Sequence, residues 1–297
     1  MTATQIGTLS WGRPSISTIP TGGTTLKGDC FDGNYVWVAA YGSNSLIKVN
    51  ASTGAITGTV TVGLGPTGVC FDGTYVWVTN YTSNTVMAVN ATTNAIAATI
   101  TVGNNPIACC YDGSHIWVAN FTDGTVTRIT PGTTPALVTI AVDRQPSAIC
   151  YDGTYVWTAN KNGTVASELV GSATVSRITV SSSVAVDAAV PNGADGICYD
   201  GLSIWVTSST ANNLLKITPG TITLFPNTAV GTAPIGCCYD GTNIWVVNSG
   251  GNNVNKVLGS ANTIVGTLPV GNNPYACCYD GTHIWVTNTN DGTLSVF

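Results

Sequence analysis

Apolar residues in this chain fall in short, strand-length runs broken by turn residues, with no stretch at the three-and-four spacing of an amphipathic helix. The segment from Val102 to Val142 shows the unit. Gly103-Asn104-Asn105-Pro106 is a turn cluster, and proline is expected to push Asn105 toward extended geometry. Ile107 to Tyr111 is an apolar run closed by Asp112-Gly113, a dipeptide suited to a tight turn with positive φ. Ile116-Trp117-Val118 follows, β-branched and aromatic, ending at Asn120. Beyond Phe121-Thr122-Asp123-Gly124, Val126-Thr127-Arg128-Ile129 alternates apolar and polar, and Leu137 to Val142 makes a fourth strand.

The unit recurs. Trp37, Trp77, Trp117, Trp157, Trp205, Trp245 and Trp285 each stand seven residues after a cysteine: Cys30, Cys70, Cys110, Cys150, Cys198, Cys238 or Cys278. Each cysteine opens a Cys-(Phe/Tyr)-Asp-Gly tetrapeptide, and successive cysteines are 40, 40, 40, 48, 40 and 40 residues apart. Four strands per repeat at a period near 40 predict an all-β, seven-bladed β-propeller with four-stranded blades. The last repeat stops at Thr293-Leu294-Ser295-Val296-Phe297, after three strands. Ser15 to Gly22 matches the missing fourth, as comparison with Thr263 to Val270 shows. Residues 1–297 therefore read as one propeller domain in which residues 1–24 supply the strand that closes the last blade and removes an exposed sheet edge.

Composition sharpens this picture mainly by exclusion. Only 8% of the 297 residues are charged, and the net charge is −5, with no basic run. That argues against nucleic acid as a partner. No apolar stretch reaches the 18 or so residues of a membrane span, so membrane insertion is not expected. The first residues, Met-Thr-Ala-Thr-Gln-Ile-Gly, have neither the basic nor the apolar region of a secretory signal. A surface made largely of Thr, Ser, Asn and Gly is left.

Val78-Thr79-Asn80, Val118-Ala119-Asn120, Val286-Thr287-Asn288 and Val270-Gly271-Asn272-Asn273-Pro274 resemble the YVTN-type β-propeller repeat. The resemblance runs over the chain beyond about residue 14. It implies that the Pro-led strand is innermost, lining a central channel, and that the Trp-bearing strand is second. The recurrent cysteine departs from that family, where the position is usually aliphatic. Lys216 to Pro226 is also similar to a blade of the streptogramin lyase propellers. That likeness implies a metal and a histidine base on the loop face.

The candidate chemistry is thin. Ten cysteines occur, the seven in frame plus Cys109, Cys237 and Cys277, without Cys-x-x-Cys or zinc-finger spacing. Neighbours such as Cys109 and Cys110 point to opposite faces of a strand, so they read as small buried hydrophobes rather than a metal site or a disulfide. So many thiols imply folding in a reducing compartment. The seven turn aspartates (Asp32, Asp72, Asp112, Asp152, Asp200, Asp240, Asp280) are expected to bond their own backbone. His115 and His283 fall where other repeats carry Tyr, Ser or Asn, beside the Asp-Gly turn and opposite the long loops, which is a poor place for a general base.

What the repeat does not absorb lies in the loops between second and third strands. The 48-residue spacing adds residues around Lys161 to Gly171, which hold Lys161, Asn162 and the single Glu168. Insertions in repeat proteins cluster on binding faces. Tyr41, Tyr81 and Phe121 occupy the corresponding loops; aromatic rings among short polar side chains suit a sugar or protein surface, and equally suit a loop tucked against its own blade. The expectation is a non-enzymatic binding or structural module without cofactor or metal, whose partner is a protein or glycan surface on an assembly. Free thiols, the missing signal and the charge-poor surface point to a chain folded in the cytoplasm and displayed outside, as in a phage or virus particle. A metal-dependent lyase and a glycan-binding lectin are the alternatives.

Overall fold

In the computed structural model, which describes residues 17–132, 134–163, 172–191 and 193–297, seven antiparallel sheets are arranged around an axis. Blade 1 is typical: Leu26–Phe31 innermost, then Tyr35–Ala40, Ser45–Asn50 and Ile56–Thr61 outermost. Blade 3 has Pro106–Tyr111, Ile116–Asn120, Thr125–Thr130 and Ala136–Ala141, within a residue of the sequence reading. Blade 5 departs from the rest. Its outermost strand is split into Thr223–Leu224 and Thr228–Ala229, with Pro226, which has no N–H to donate, in the gap.

The ring is closed by the N-terminal strand. Ser17–Pro20 pairs antiparallel with Thr293–Val296 in the register Ser17 to Val296 through Pro20 to Thr293. Thr21 adds two bonds to the Gly292 carbonyl, from its N–H at 3.1 Å and its hydroxyl at 2.9 Å.

The core lies between the blades, in seven clusters that each join the tryptophan of one blade to the middle strands of the next. Each tryptophan is fixed by the turn before it. The aspartate of the Asp-Gly turn accepts two backbone N–H groups on Oδ1, at 2.8 and 2.6 Å in Asp112. Its Oδ2 accepts the indole N–H of the tryptophan five residues on, at 2.8 Å for Trp117. The same triad recurs at the other six turns. The glycine after each aspartate has φ between 92° and 101°, which a side chain would oppose. The expectation that these carboxylates serve their own turns is met, and the indole bond extends it.

Two features hold the blades at a fixed spacing. Two residues before each recurrent cysteine stands Gly28, Gly68, Ala108, Ala148, Gly196, Gly236 or Ala276. Here neighbouring inner strands touch: a Cβ on Gly68 would fall 2.6 Å from Ala108 Cα, and one on Gly196 2.4 Å from the Ile235 carbonyl oxygen. Further out, Lys48, Arg128, Arg177, Lys216 and Lys256 each stand opposite a tryptophan in the register and lie over its ring. Four of them reach on to main-chain carbonyls of the next blade, as Lys48 Nζ does to Ala91 at 2.6 Å.

One backbone expectation fails. Asn105 is left-handed, with φ of 54°, although Pro106 follows it. Gln145, Ala233 and Asn273, also before proline, have φ of 55°, 51° and 51°. The loop fixes this conformation. The Asn105 N–H donates to Asn84 Oδ1 at 2.9 Å, its Nδ2 to the Tyr81 carbonyl at 3.1 Å, and its carbonyl accepts the Phe121 N–H at 3.1 Å. Three bonds outweigh the steric bias of the following ring.

Candidate functional site

Because each blade runs the same course, one end of the ring carries the Asp-Gly turns and the other the loops from second to third strand. His115 and His283 lie at the first end. Their Nδ1 atoms face the turn carboxylates Asp112 and Asp280 at 3.1 and 3.2 Å, beside the indoles those carboxylates hold. Among the described residues, no group of three or more His, Cys, Asp or Glu side chains is placed to hold a metal ion.

At the loop end, Tyr41, Tyr81 and Phe121 are half-buried. Tyr41 begins a short 3-10 turn, Tyr41–Ser43, and packs over Gly65, where an added Cβ would fall 2.9 Å from its ring. Tyr81 and Phe121 meet across the boundary between blades 2 and 3, ring centres 6.5 Å apart. These aromatics therefore sit against the neighbouring blade. In blade 4 the extra residues lengthen the second and third strands, Tyr155–Gly163 and Ser172–Thr179. Asn162 donates through Nδ2 to Gln145 Oε1. Glu168 lies outside the described residues.

Among the described residues, Lys161 is the predicted loop residue that reaches the axis. Its Nζ pairs with Asp195 Oδ1 at 2.8 Å, and Asp195 Oδ2 accepts the Ser209 N–H at 2.8 Å. Both line the mouth of a central cavity of about 240 Å³. Asp195 stands three residues before a recurrent cysteine, and Thr67, Ile107, Ser147, Ile235 and Tyr275 at the same position line the cavity with it; blade 1 carries Lys27 there. Lys27 Nζ lies over the Tyr275 ring at 4.0 Å from its centre. Burial, and then the charge of Lys161, lower the pKa of Lys27. Burial pushes the Tyr275 phenol up to about 12, so it stays a hydrogen-bond donor.

These residues make the mouth the most chemically varied part of the ring. The chain has nine Lys and Arg in all, and five are committed to tryptophans between blades. Among the described residues the other three, Lys27, Arg144 and Lys161, all lie at the loop end. The reading from sequence singled out Lys161 but missed Lys27, Asp195 and Tyr275. The signal was available: aligned on the cysteine, one position carries Lys, Asp and Tyr where the repeat elsewhere has Thr, Ser or Ile.

Deeper in the channel, Asp29 lies one residue before Cys30, where the other blades carry Val, Ile or Cys. Neither carboxyl oxygen is solvent-accessible or has a well-formed hydrogen bond, although the Cys278 thiol of blade 7 lies alongside. Burial raises its pKa to about 7. The ten cysteines are free thiols distributed over the blade interfaces, three buried and seven half-buried.

Comparison with solved structures supports the fold. Kuenenia stuttgartiensis hydrazine synthase is similar over 98% of this chain and 99% of that chain, at 18% identity and a TM-score of 0.82. Virginiamycin B lyase from Staphylococcus aureus matches over 95% of this chain and 98% of its own, at 18% identity and a TM-score of 0.79. The β-propeller domain of Cps50 (Swd1) from Myceliophteria thermophila has a TM-score of 0.77 at 10% identity, over 95% of this chain and 98% of that one. Identities this low show a shared β-propeller architecture and nothing finer. No protein-family model matches the chain, and no curated protein matches it in sequence.

Proposed function

We propose that this chain is a non-enzymatic binding module, a rigid ring displayed on an assembly such as a virus particle, which engages a protein or glycan surface with its loop end. The observation that carries the reading is the channel mouth. The blades repeat one another almost everywhere else, yet here Lys27, Lys161, Asp195 and Tyr275 converge from four different blades. Binding specificity in a repeat architecture belongs where the repeats diverge. Ammonium groups beside a phenol and a paired carboxylate suit the hydroxyl and carboxylate groups of acidic sugars or of side chains on a partner. Display on a particle is supported by the charge-poor Thr, Asn and Gly surface together with a load of thiols that implies folding in a reducing compartment.

The test is binding of the full chain to an immobilised glycan array and to intact host-cell surfaces. Lys27→Ala and Lys161→Ala should each weaken the interaction by roughly 10- to 150-fold, the loss of one charge-assisted hydrogen bond of roughly 1.5–3 kcal/mol. Changing His115 and His283 together to Ala should leave it intact. Binding indifferent to both lysines would refute the mouth as the site.

The lyase reading draws on two neighbours, a catalytically inactive virginiamycin B lyase from Staphylococcus aureus solved with quinupristin and a streptogramin B lyase. In this chain both histidines lie at the Asp-Gly end. Metal-dependent cleavage of quinupristin that is lost in the double histidine variant would establish that reading instead.

A further inference from the structure

Consecutive inner strands interlock so that the residue before the recurrent cysteine of one blade lies over the cysteine of the blade before it. Cys109, Cys237 and Cys277 occupy that place in blades 3, 6 and 7. Their Sγ atoms point at the carbonyls of Trp77, Trp205 and Trp245, at 3.6, 3.9 and 3.8 Å. Those tryptophans are the cross-strand partners of Cys70, Cys198 and Cys238. Each thiol thus meets a second thiol across a blade boundary: Cys70 with Cys109, Cys198 with Cys237, and Cys238 with Cys277 are in side-chain contact. Adjacent cysteines within a strand face opposite ways, with Cys109 in the core between blades 2 and 3 and Cys110 in the next one. Each therefore has at most one candidate partner. The remaining cysteines meet Val69, Ile149, Ile197 and Asp29 at the same place, so Cys30, Cys110, Cys150 and Cys278 have none.

We propose that these three pairs are oxidisable cross-links that join blade 2 to blade 3 and blades 5, 6 and 7 to one another. At Gly68, Gly196 and Gly236, two residues before the cysteines of these blades, the backbone touches the next inner strand, and that close approach is what a short Cα-to-Cα bridge needs. Cys109, Cys237 and Cys277 also line the central cavity, which gives a small oxidant a route to them. With glutathione disulfide as oxidant, a protein thiolate attacks one glutathione sulfur and releases the first glutathione. The partner thiolate then attacks the protein sulfur of the mixed disulfide and releases the second. One S–S bond is broken and one made, and the two protein protons leave with the glutathiones. The chain would fold reduced and acquire its staples on reaching an oxidising medium. The seam between blades 7 and 1, where Asp29 replaces the thiol, stays uncrosslinked.

The experiment equilibrates the full chain in a glutathione–glutathione disulfide buffer by two routes, as native protein and by refolding from denaturant. Each sample is quenched, alkylated and digested without reduction for mass spectrometry. Three cross-linked peptide pairs are expected, with Cys30, Cys110, Cys150 and Cys278 recovered alkylated. The oxidised chain should melt several degrees higher than the reduced one and revert on adding reductant. Cys109→Ser should delete the Cys70 link and leave the other two. The refolding route exposes every thiol to the oxidant. Ten free thiols after it, or cross-links in other pairings, would overturn the proposal.

Discussion

At the scale of single residues, most of the recurrent side chains act on their own blade. Asp112 holds a turn with one oxygen and Trp117 with the other. Asp112→Asn replaces an acceptor with an amide or leaves a donor facing the indole N–H, and should cost roughly 1–3 kcal/mol in urea unfolding. Burial opposes ionisation of Asp112, Asp240 and Asp280, but indole and backbone N–H donors prevail and hold their pKa values below the ordinary carboxyl value. Their contribution is complete above the unfolded pKa and is lost as pH falls through the folded one, so acid should destabilise the fold. Asp29 has the opposite sign. Its folded pKa of about 7 lies above the unfolded value, so its stability is greatest in acid and is lost as pH rises from about 4 to about 7. That window is worth at most about 4 kcal/mol, taking roughly 1.4 kcal/mol per unit. Asp29→Val, which copies blade 2, should remove the decline in denaturation free energy over that range. An unchanged pH profile would show that Asp29 is ionised without cost. None of this was legible for Asp29 alone, because one aspartate before a cysteine carries meaning only once the inner strands are seen to interlock.

At the scale of strands, the sequence was far more readable. Trp117, Asp112-Gly113 and Pro106 recur at fixed offsets because every blade solves the same packing problem, and seven copies average out local ambiguity. The match of Ser15–Gly22 to the missing fourth strand was legible for the same reason, and Ser17–Pro20 takes that place. The residue before proline was misread because its conformation depends on Asn84, Tyr81 and Phe121, which belong to other loops. Lys27, Asp195 and Tyr275 were missed because each looks ordinary in its own strand and becomes a site only when the ring closes. Deleting residues 1–23 should leave the Thr293–Val296 edge bare and remove Ile19 from the core between blades 7 and 1. Calorimetry and size-exclusion chromatography should show a melting point lower by several degrees or aggregation. A truncated chain that melts like the intact one would mean the seam is held by other contacts.

At the scale of the whole molecule, the blades are uniform and the two ends of the ring differ. One end presents turns whose carboxylates are occupied, the other a mouth where scarce charges gather, and touching inner backbones keep that mouth from widening. The closing strand has a further consequence, in time. Ser17–Pro20 precedes the other described strands in the chain, and so leaves a ribosome before them, while its partner Thr293–Val296 follows them. The strand made before the others is thus expected to be placed after them, unpaired while the blades between assemble. Joining segments so far apart along a loose chain carries a loop-closure penalty, but the assembled arc has already brought them face to face. We predict that pulsed hydrogen exchange during refolding will find the amides of this pair protected after those of the inner strands; simultaneous protection would refute that order. The seam then works as a clasp that shuts only on a complete ring, so a chain with one unfolded blade cannot close.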